Sequence, residues 1–160
     1  MVEETVPDKS LNQNNRNRRY SQFKISAIPC LRCGACCRSY QPWLTPAEID
    51  QLANRFGISV SKFISDYTDR RWPGTQSYLV LHRDGACLFL EVSPDTRQSL
   101  CRIQAFKPAC CRAWNSSLYK PECQRGLKDR FGLAVDPQGR IFGDAANLIA
   151  FEEYVISLKS

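Results

Sequence analysis

Apolar residues first recur at helical spacing in the stretch that follows Thr45. They fall three or four positions apart and end before Gly57, at Ile49, Leu52, Ala53 and Phe56. This spacing predicts an amphipathic helix. Thr45 and Glu48 form the sequence pattern of a capping box, Pro46 suits the first helical position, and Gly57 suits the end. A second short helix is predicted over residues 59 to 68.

The last forty residues show the same spacing twice. Pro121 opens a predicted helix that contains Leu127 and Phe131 and ends at Gly132. The residues after Asp144 predict a final amphipathic helix, with Asp144 as its N-cap. Its predicted core positions are Leu148, Ile149, Phe151, Tyr154, Val155 and Leu158.

Strand patterns lie between these helices. Residues 78 to 82 and 87 to 92 are rich in strand formers and flank Asp84-Gly85, a pair that favours a tight hairpin turn. Trp72-Pro73-Gly74, before the first strand, is predicted to interrupt regular secondary structure. Residues 93 to 99, after the second strand, are predicted to form a surface loop. Residues 133 to 135 and 140 to 142 predict a second small hairpin. Together the patterns predict an α+β fold, a small loop-rich domain with short β-hairpins and several helices.

The beginning of the chain differs from the rest. Residues 1 to 27 are basic and rich in asparagine, with no apolar period, so we expect a flexible N-terminal arm and a domain over residues 28 to 160. The chain has 160 residues, no secretory pattern and no run near the roughly 18 apolar residues of a membrane helix, which predicts a cytoplasmic protein without a membrane partner. No basic stripe with interleaved aromatics suggests nucleic-acid binding. The sequence does not indicate whether the protein binds a partner protein.

The cysteine content is the feature of the sequence that bears most directly on function. The chain has nine cysteines, four of them in a C-x2-C-x2-C-C motif over residues 30 to 37. An odd number cannot pair completely, and in a reducing compartment many cysteines favour metal or redox chemistry. The C-x2-C unit lets one turn direct two sulfurs at one ion. The formal net charge is +6, and eight thiolates around two divalent ions would lower it to about +2.

The motif resembles the YkgJ-type cysteine cluster family, whose CxxCxxCC domain is expected to chelate zinc or iron. The resemblance covers about residues 28 to 125. Residues 84 to 90 follow the family pattern DGxCxFL, and residues 101 to 112 follow CxIYxxRPxxCR. It implies a metal site formed by eight cysteines: Cys30, Cys33, Cys36, Cys37, Cys87, Cys101, Cys111 and Cys123.

The chain departs from the family pattern at four places. Gln104 replaces the usual tyrosine, Lys107 replaces arginine, and Trp114-Asn115 stands where an aromatic-proline pair is common. Cys110 is an extra thiol, so either Cys110 or Cys111 could be the ligand at that point.

The resemblance implies a metal-binding protein with one or two centres. All-sulfur coordination suits both zinc and iron–sulfur clusters, and the ferredoxin-like C-x2-C-x2-C opening favours iron–sulfur and electron transfer. Neighbouring side chains point in opposite directions in an extended segment, so Cys36 and Cys37 are expected to serve different ions. A structural metal site is the other reading. His82, the only histidine, is a weaker candidate ligand.

Other functions compete with this interpretation. Cys33-Gly34-Ala35-Cys36 resembles a dithiol redox motif, but no βαβ pattern surrounds it. A protein-modifying enzyme is the second alternative, because the cysteine cluster is similar to that of flagellin lysine N-methylases, although the chain has no glycine-rich nucleotide loop. A zinc-stapled interaction module is the third.

Overall fold

The structure, a computed structural model, describes residues 19 to 71 and 77 to 160. Over these residues the chain forms six α-helices and nine short β-strands, which confirms the predicted α+β class. The helices are α1 (Ala35–Ser39), α2 (Pro46–Phe56), α3 (Val60–Tyr67), α4 (Ala109–Arg112), α5 (Pro121–Phe131) and α6 (Ala145–Lys159). The strands are β1 (Arg19–Tyr20), β2 (Trp43–Leu44), β3 (Tyr78–Leu79), β4 (His82–Arg83), β5 (Ala86–Cys87), β6 (Leu90–Val92), β7 (Ser99–Cys101), β8 (Ala134–Val135) and β9 (Ile141–Gly143).

The chain divides into two compact units. Unit 1 takes the two ends of the chain, Met1–Leu31 and Ser117–Ser160, and unit 2 is the continuous segment Arg32–Ser116. Each unit has its own buried apolar cluster. The predicted single domain over residues 28 to 160 stays a prediction.

Unit 1 is built on an antiparallel sheet of order β1-β9-β8. Helices α5 and α6 pack on each other, α6 also contacts β1 and β9, and α5 contacts β8. The buried centre includes Leu127 of α5, Ile141 of β9 and Phe151 and Val155 of α6. Both helices follow their sequence signals, with Pro121 in the first turn of α5 and Gly132 in the left-handed conformation at its end.

Two expectations for unit 1 need correction. Residues 19 to 27 were expected in the flexible arm, but Tyr20 pairs with Phe142, and Ile25 is buried in a 3-10 turn at residues 25 to 27. The remaining part of that arm, residues 1 to 18, lies outside the described residues. Ile149 was expected in the core but is 59% exposed. Helix α6 has apolar residues around more of its circumference than packs against the rest of unit 1.

Unit 2 contains a helical hairpin. Helices α2 and α3 pack together, and the predicted capping box is present: the Thr45 side chain accepts from the Glu48 N–H while the Glu48 carboxylate accepts from the Thr45 N–H. Phe56, Phe63 and Tyr67 stack beside Phe89, with ring centroids 4.9 to 6.0 Å apart where they meet. Phe63 and Phe89 belong to the buried core of unit 2, and Phe56 and Tyr67 pack against it.

The strands of unit 2 pair differently from the expected long hairpin. The Asp84-Gly85 turn is present, with φ of 54° and 76°, and it joins β4 to β5. However, β3 pairs with β2, and β6 pairs with β7 across the loop predicted at residues 93 to 99. The predicted break at Trp72-Pro73-Gly74 lies outside the described residues.

No helix in the described parts of the chain is both long enough and apolar enough to cross a membrane.

Candidate metal centre

The first part of the site is the loop at residues 32 to 34. The Arg32 carbonyl accepts a hydrogen bond of 2.7 Å from the Ser99 N–H at the start of β7. The Arg38 guanidinium donates to the Cys33 carbonyl at 3.2 Å. Gly34 has φ 73°, in the left-handed region that favours glycine, and lies tightly against Ser99 and Arg38. The loop that carries Cys33 is therefore held on β7.

Helix α1 places Cys36 and Cys37 next to each other. These residues were expected in an extended segment with opposed side chains, but they are helical, and their two thiols are hydrogen-bonded. The left-handed Gly34 starts this helix directly after the loop. The prediction that the Cys36 and Cys37 side chains point in opposite directions is therefore wrong.

Two further thiols come from short strands. Cys87 on β5 is buried in the unit 2 core, and α1 packs against β5. Cys101 on β7 is opposite Leu90 of β6 and packs against the same core. The hairpin turn and the β6-β7 pairing thus bring two cysteines that are fourteen positions apart to the thiols of α1.

Helix α4 contributes the last two thiols, those of Cys110 and Cys111. Pro108 precedes this four-residue helix as its N-cap residue, a position where the missing N–H and fixed φ of proline are tolerated. The Cys110 and Cys111 sulfurs are 4.0 Å apart, and the Cys110 thiol donates to the Trp43 carbonyl at 3.3 Å. The Ala109 N–H donates to the Glu48 carboxylate at 2.7 Å, which ties α4 to α2.

Hydrogen bonding separates the acidities of the α1 thiols. The hydrogen bond from Cys37 lowers the pKa of Cys36 to about 6 despite partial burial, and the charge of Lys107 assists. The same bond raises the pKa of Cys37 far above its ordinary value, because ionising Cys37 would break it, and burial adds to the shift. The pair therefore loses its first proton more readily than an isolated cysteine would.

Burial dominates at the other thiols. It raises the pKa of Cys87, and the neighbouring Cys101, Cys110 and Cys36 add repulsion. It also raises the pKa of Cys111 to about 12, together with the charge of Cys110. These mutual effects join six thiols into one electrostatic group, which we call the thiol cluster: Cys36, Cys37, Cys87, Cys101, Cys110 and Cys111. Repulsion between thiolates opposes the ionisation of several of these thiols at once, unless a bound cation compensates their charge.

The thiol cluster overlaps the eight predicted ligands only in part. It contains five of them, while Cys33 lies on the adjoining loop and Cys30 and Cys123 belong to unit 1. The sequence left open whether Cys110 or Cys111 is the ligand; both belong to the thiol cluster, with their sulfurs 4.0 Å apart. All nine cysteines lie in the described residues, and none is in a disulfide.

His82 lies opposite Cys87 in the β4-β5 pair, but its Nε2 is 3.0 Å from the Tyr40 carbonyl oxygen. That contact uses the nitrogen as a hydrogen-bond donor, which leaves only Nδ1 as a lone-pair donor. The thiols are thus the better ligands.

The donor chemistry fits a thiophilic metal. Zinc–sulfur bonds of about 2.3 Å put the sulfurs of a tetrahedral site about 3.8 Å apart, close to the 4.0 Å between Cys110 and Cys111. In the described residues, no group of three or more His, Cys, Asp or Glu side chains is gathered as a ready-made metal site. The thiol cluster is an assembly of neighbouring donors from four elements.

A family model matches residues 29 to 133, about two thirds of the chain: CxxCxxCC, described as "Putative zinc- or iron-chelating domain". No curated protein and no solved structure matches the chain significantly.

Proposed function

This chain belongs to the CxxCxxCC family, and from that premise we propose that unit 2 holds a metal centre whose ligands are drawn from the thiol cluster. Metal binding is the property that the family description gives. The proposal adds the location: thiolates supplied by α1, β5, β7 and α4.

The observation that carries the proposal is the convergence of these four elements. They span residues 35 to 112, and each brings one or two cysteines to the same neighbourhood. Cys87 is buried and the others are partly buried. Buried thiols used only for packing do not need to be adjacent, whereas metal ligands do.

The choice of metal is limited by the ligand type. Soft thiolates select zinc, iron–sulfur clusters or monovalent copper, and they do not suit calcium or magnesium, which prefer oxygen. The family description narrows this to zinc or iron. When bound, zinc would supply a structural link and an iron–sulfur cluster would supply a one-electron carrier.

The position of the thiols favours a structural role first. Cys87 belongs to the unit 2 core, and Cys37 and Cys101 pack against it. A metal held there would join α1, β5 and β7, which are short elements with few hydrogen bonds of their own. Electron transfer is the second candidate, supported by the ferredoxin-like opening of the motif.

The experiment is metal analysis with an absorption spectrum on protein purified without oxygen. Iron with acid-labile sulfide and broad absorption near about 400 nm would identify an iron–sulfur cluster. Zinc in a colourless protein would identify a structural site, and chelation should then unfold unit 2, since structural zinc contributes on the order of 10 kcal/mol.

Serine variants test the location. Cys37→Ser and Cys87→Ser should each lower the metal content to about half or less, because each removes a thiolate from the thiol cluster. Cys123→Ser, in unit 1, is the matched control and should keep the metal. An equal loss in Cys123→Ser would instead support the eight-cysteine set predicted from the motif, and full metal content in Cys37→Ser and Cys87→Ser would reject the proposal.

A further inference from the structure

A second feature of unit 2 is a cleft beside α2 and α4. It has a volume of about 390 Å³ and is lined by α2 and by residues 105 to 108 and 112. Most of its surface is polar. Its apolar lining residues include Leu52 and Phe106, and three cationic side chains also line it: Arg55, Lys107 and Arg112.

The charges of this cleft do not balance. The carboxylate among its lining residues is Glu48, and that carboxylate already accepts hydrogen bonds from the Thr45 N–H and hydroxyl and from the Ala109 N–H. Within the described residues, no carboxylate lies within 4.0 Å of the charged nitrogens of the three cations; the ion pairs found there lie elsewhere. The cleft therefore presents three positive charges against one negative charge that is already engaged.

Contacts hold two of the cations at the cleft. The Arg55 guanidinium lies over the Phe106 ring, 4.7 Å from its centroid, and the Arg112 guanidinium donates to the Lys107 carbonyl. Such contacts reduce the conformational freedom that each side chain would lose when it binds a ligand. Guanidinium groups also match the two oxygens of a carboxylate or phosphate with two parallel hydrogen bonds.

We propose that this cleft binds the oxyanion group of a small acidic molecule, either a phosphate or a carboxylate. Arg55 and Arg112 donate to the oxyanion, Lys107 adds charge, and Phe106 contacts the apolar part of the ligand. None of its lining residues is a cysteine, but the cleft adjoins the proposed metal centre, because α4 carries both Arg112 and two members of the thiol cluster and the Lys107 charge acts on Cys36.

The test is equilibrium dialysis of the full chain, with its metal as purified, against radiolabelled inorganic phosphate in one arm and succinate in the other. Sodium chloride holds the ionic strength constant, since screening alone would change weak binding of anions. Binding of phosphate alone identifies a phosphate site, and binding of succinate alone or of both identifies the site as a carboxylate or general oxyanion site. Failure of both probes to bind overturns the proposal.

The decisive variant is Arg55→Gln, with Arg83→Gln as the matched control. Both remove one exposed positive charge from unit 2, but Arg83 is on β4 and does not line the cleft. Losing a charge-assisted hydrogen bond should weaken binding by roughly tenfold in Arg55→Gln and by less than about twofold in Arg83→Gln.

Arg55→Lys, which keeps the charge, should recover part of the affinity. The same dissociation constant in Arg55→Gln and Arg83→Gln would overturn the proposal, because an anion bound to the metal or attracted by net charge does not distinguish them. Metal content measured on every variant shows whether the metal centre is unchanged.

Discussion

Replacing Gly34 with alanine should destabilise unit 2 and weaken metal binding, for two reasons that can be separated. Gly34 has φ 73°, which a residue with a Cβ rarely adopts. An alanine Cβ at this position would also lie 2.5 Å from Arg38 Nη1, 2.6 Å from Ser99 Oγ and 2.8 Å from Ser99 Cβ. Non-bonded carbon atoms do not approach other heavy atoms this closely. The loop, Ser99 or both must therefore move.

The magnitude follows from these contacts. The left-handed conformation costs alanine about 1 to 2 kcal/mol. Relieving the clash moves Ser99, whose N–H donates to the Arg32 carbonyl, and Arg38, which donates to the Cys33 carbonyl. Weakening these two hydrogen bonds adds about 1 to 2 kcal/mol. We expect a total loss of about 2 to 4 kcal/mol in the free energy of unfolding.

Gly85→Ala is the matched control. Gly85 has nearly the same φ, 76°, but an alanine Cβ there would have no heavy atom within 4 Å. It should lose only the conformational part, about 1 to 2 kcal/mol. Urea unfolding of the metal-free and metal-loaded forms, with metal content measured alongside, gives both effects.

Equal losses of stability in the two variants, or unchanged metal content in Gly34→Ala, would refute the argument that close packing of Gly34 on β7 positions the thiols.

Two further predictions concern charge. Glu48→Ala should lower the free energy of unfolding by about 2 kcal/mol, because it removes the capping box of α2 and the acceptor for the Ala109 N–H; Glu48→Gln should lose less, and thermal unfolding measures both. Zinc affinity should rise with pH, because the pKa of Cys111 is raised to about 12 and those of Cys37 and Cys87 are also raised, so these thiols lose protons on binding. The Cys36–Cys37 pair, in which the pKa of Cys36 is lowered to about 6, has already lost one proton at neutral pH. A four-thiolate site that includes Cys36 should therefore gain roughly three decades of affinity per pH unit between pH 7 and 8, and a competition titration that finds no dependence on pH would contradict it.

Local signals explain why the helices could be predicted. Helix α2 has its N-cap, proline and terminal glycine within the helix or next to it, so its boundaries follow from nearby residues. The same holds for α5, between Pro121 and Gly132. Hydrogen bonds inside one short segment determine these elements, and the sequence of that segment is enough to predict them.

The strands of unit 2 could not be predicted in this way. Each has two or three residues, and its partner is chosen by tertiary packing rather than by its own pattern. Helix α1 has five residues and no side-chain cap, so the thiols of Cys36 and Cys37 had no local signal that would place them on a helix. Short elements without caps depend on the rest of the fold.

The division of the cysteine motif between the two units has the same origin. The Leu31 side chain is buried in the unit 1 core, and its carbonyl accepts from the Tyr154 hydroxyl at 2.8 Å. The next carbonyl, of Arg32, accepts from the Ser99 N–H of unit 2 at 2.7 Å. Two consecutive residues are thus fixed by contacts more than sixty positions away in different parts of the chain. The C-x2-C spacing specifies which thiols can reach one ion within a turn, but these distant contacts determine that Cys30 belongs to unit 1 and Cys33 to unit 2. A cysteine pattern therefore indicates the chemistry of the ligands, while their grouping depends on the tertiary fold.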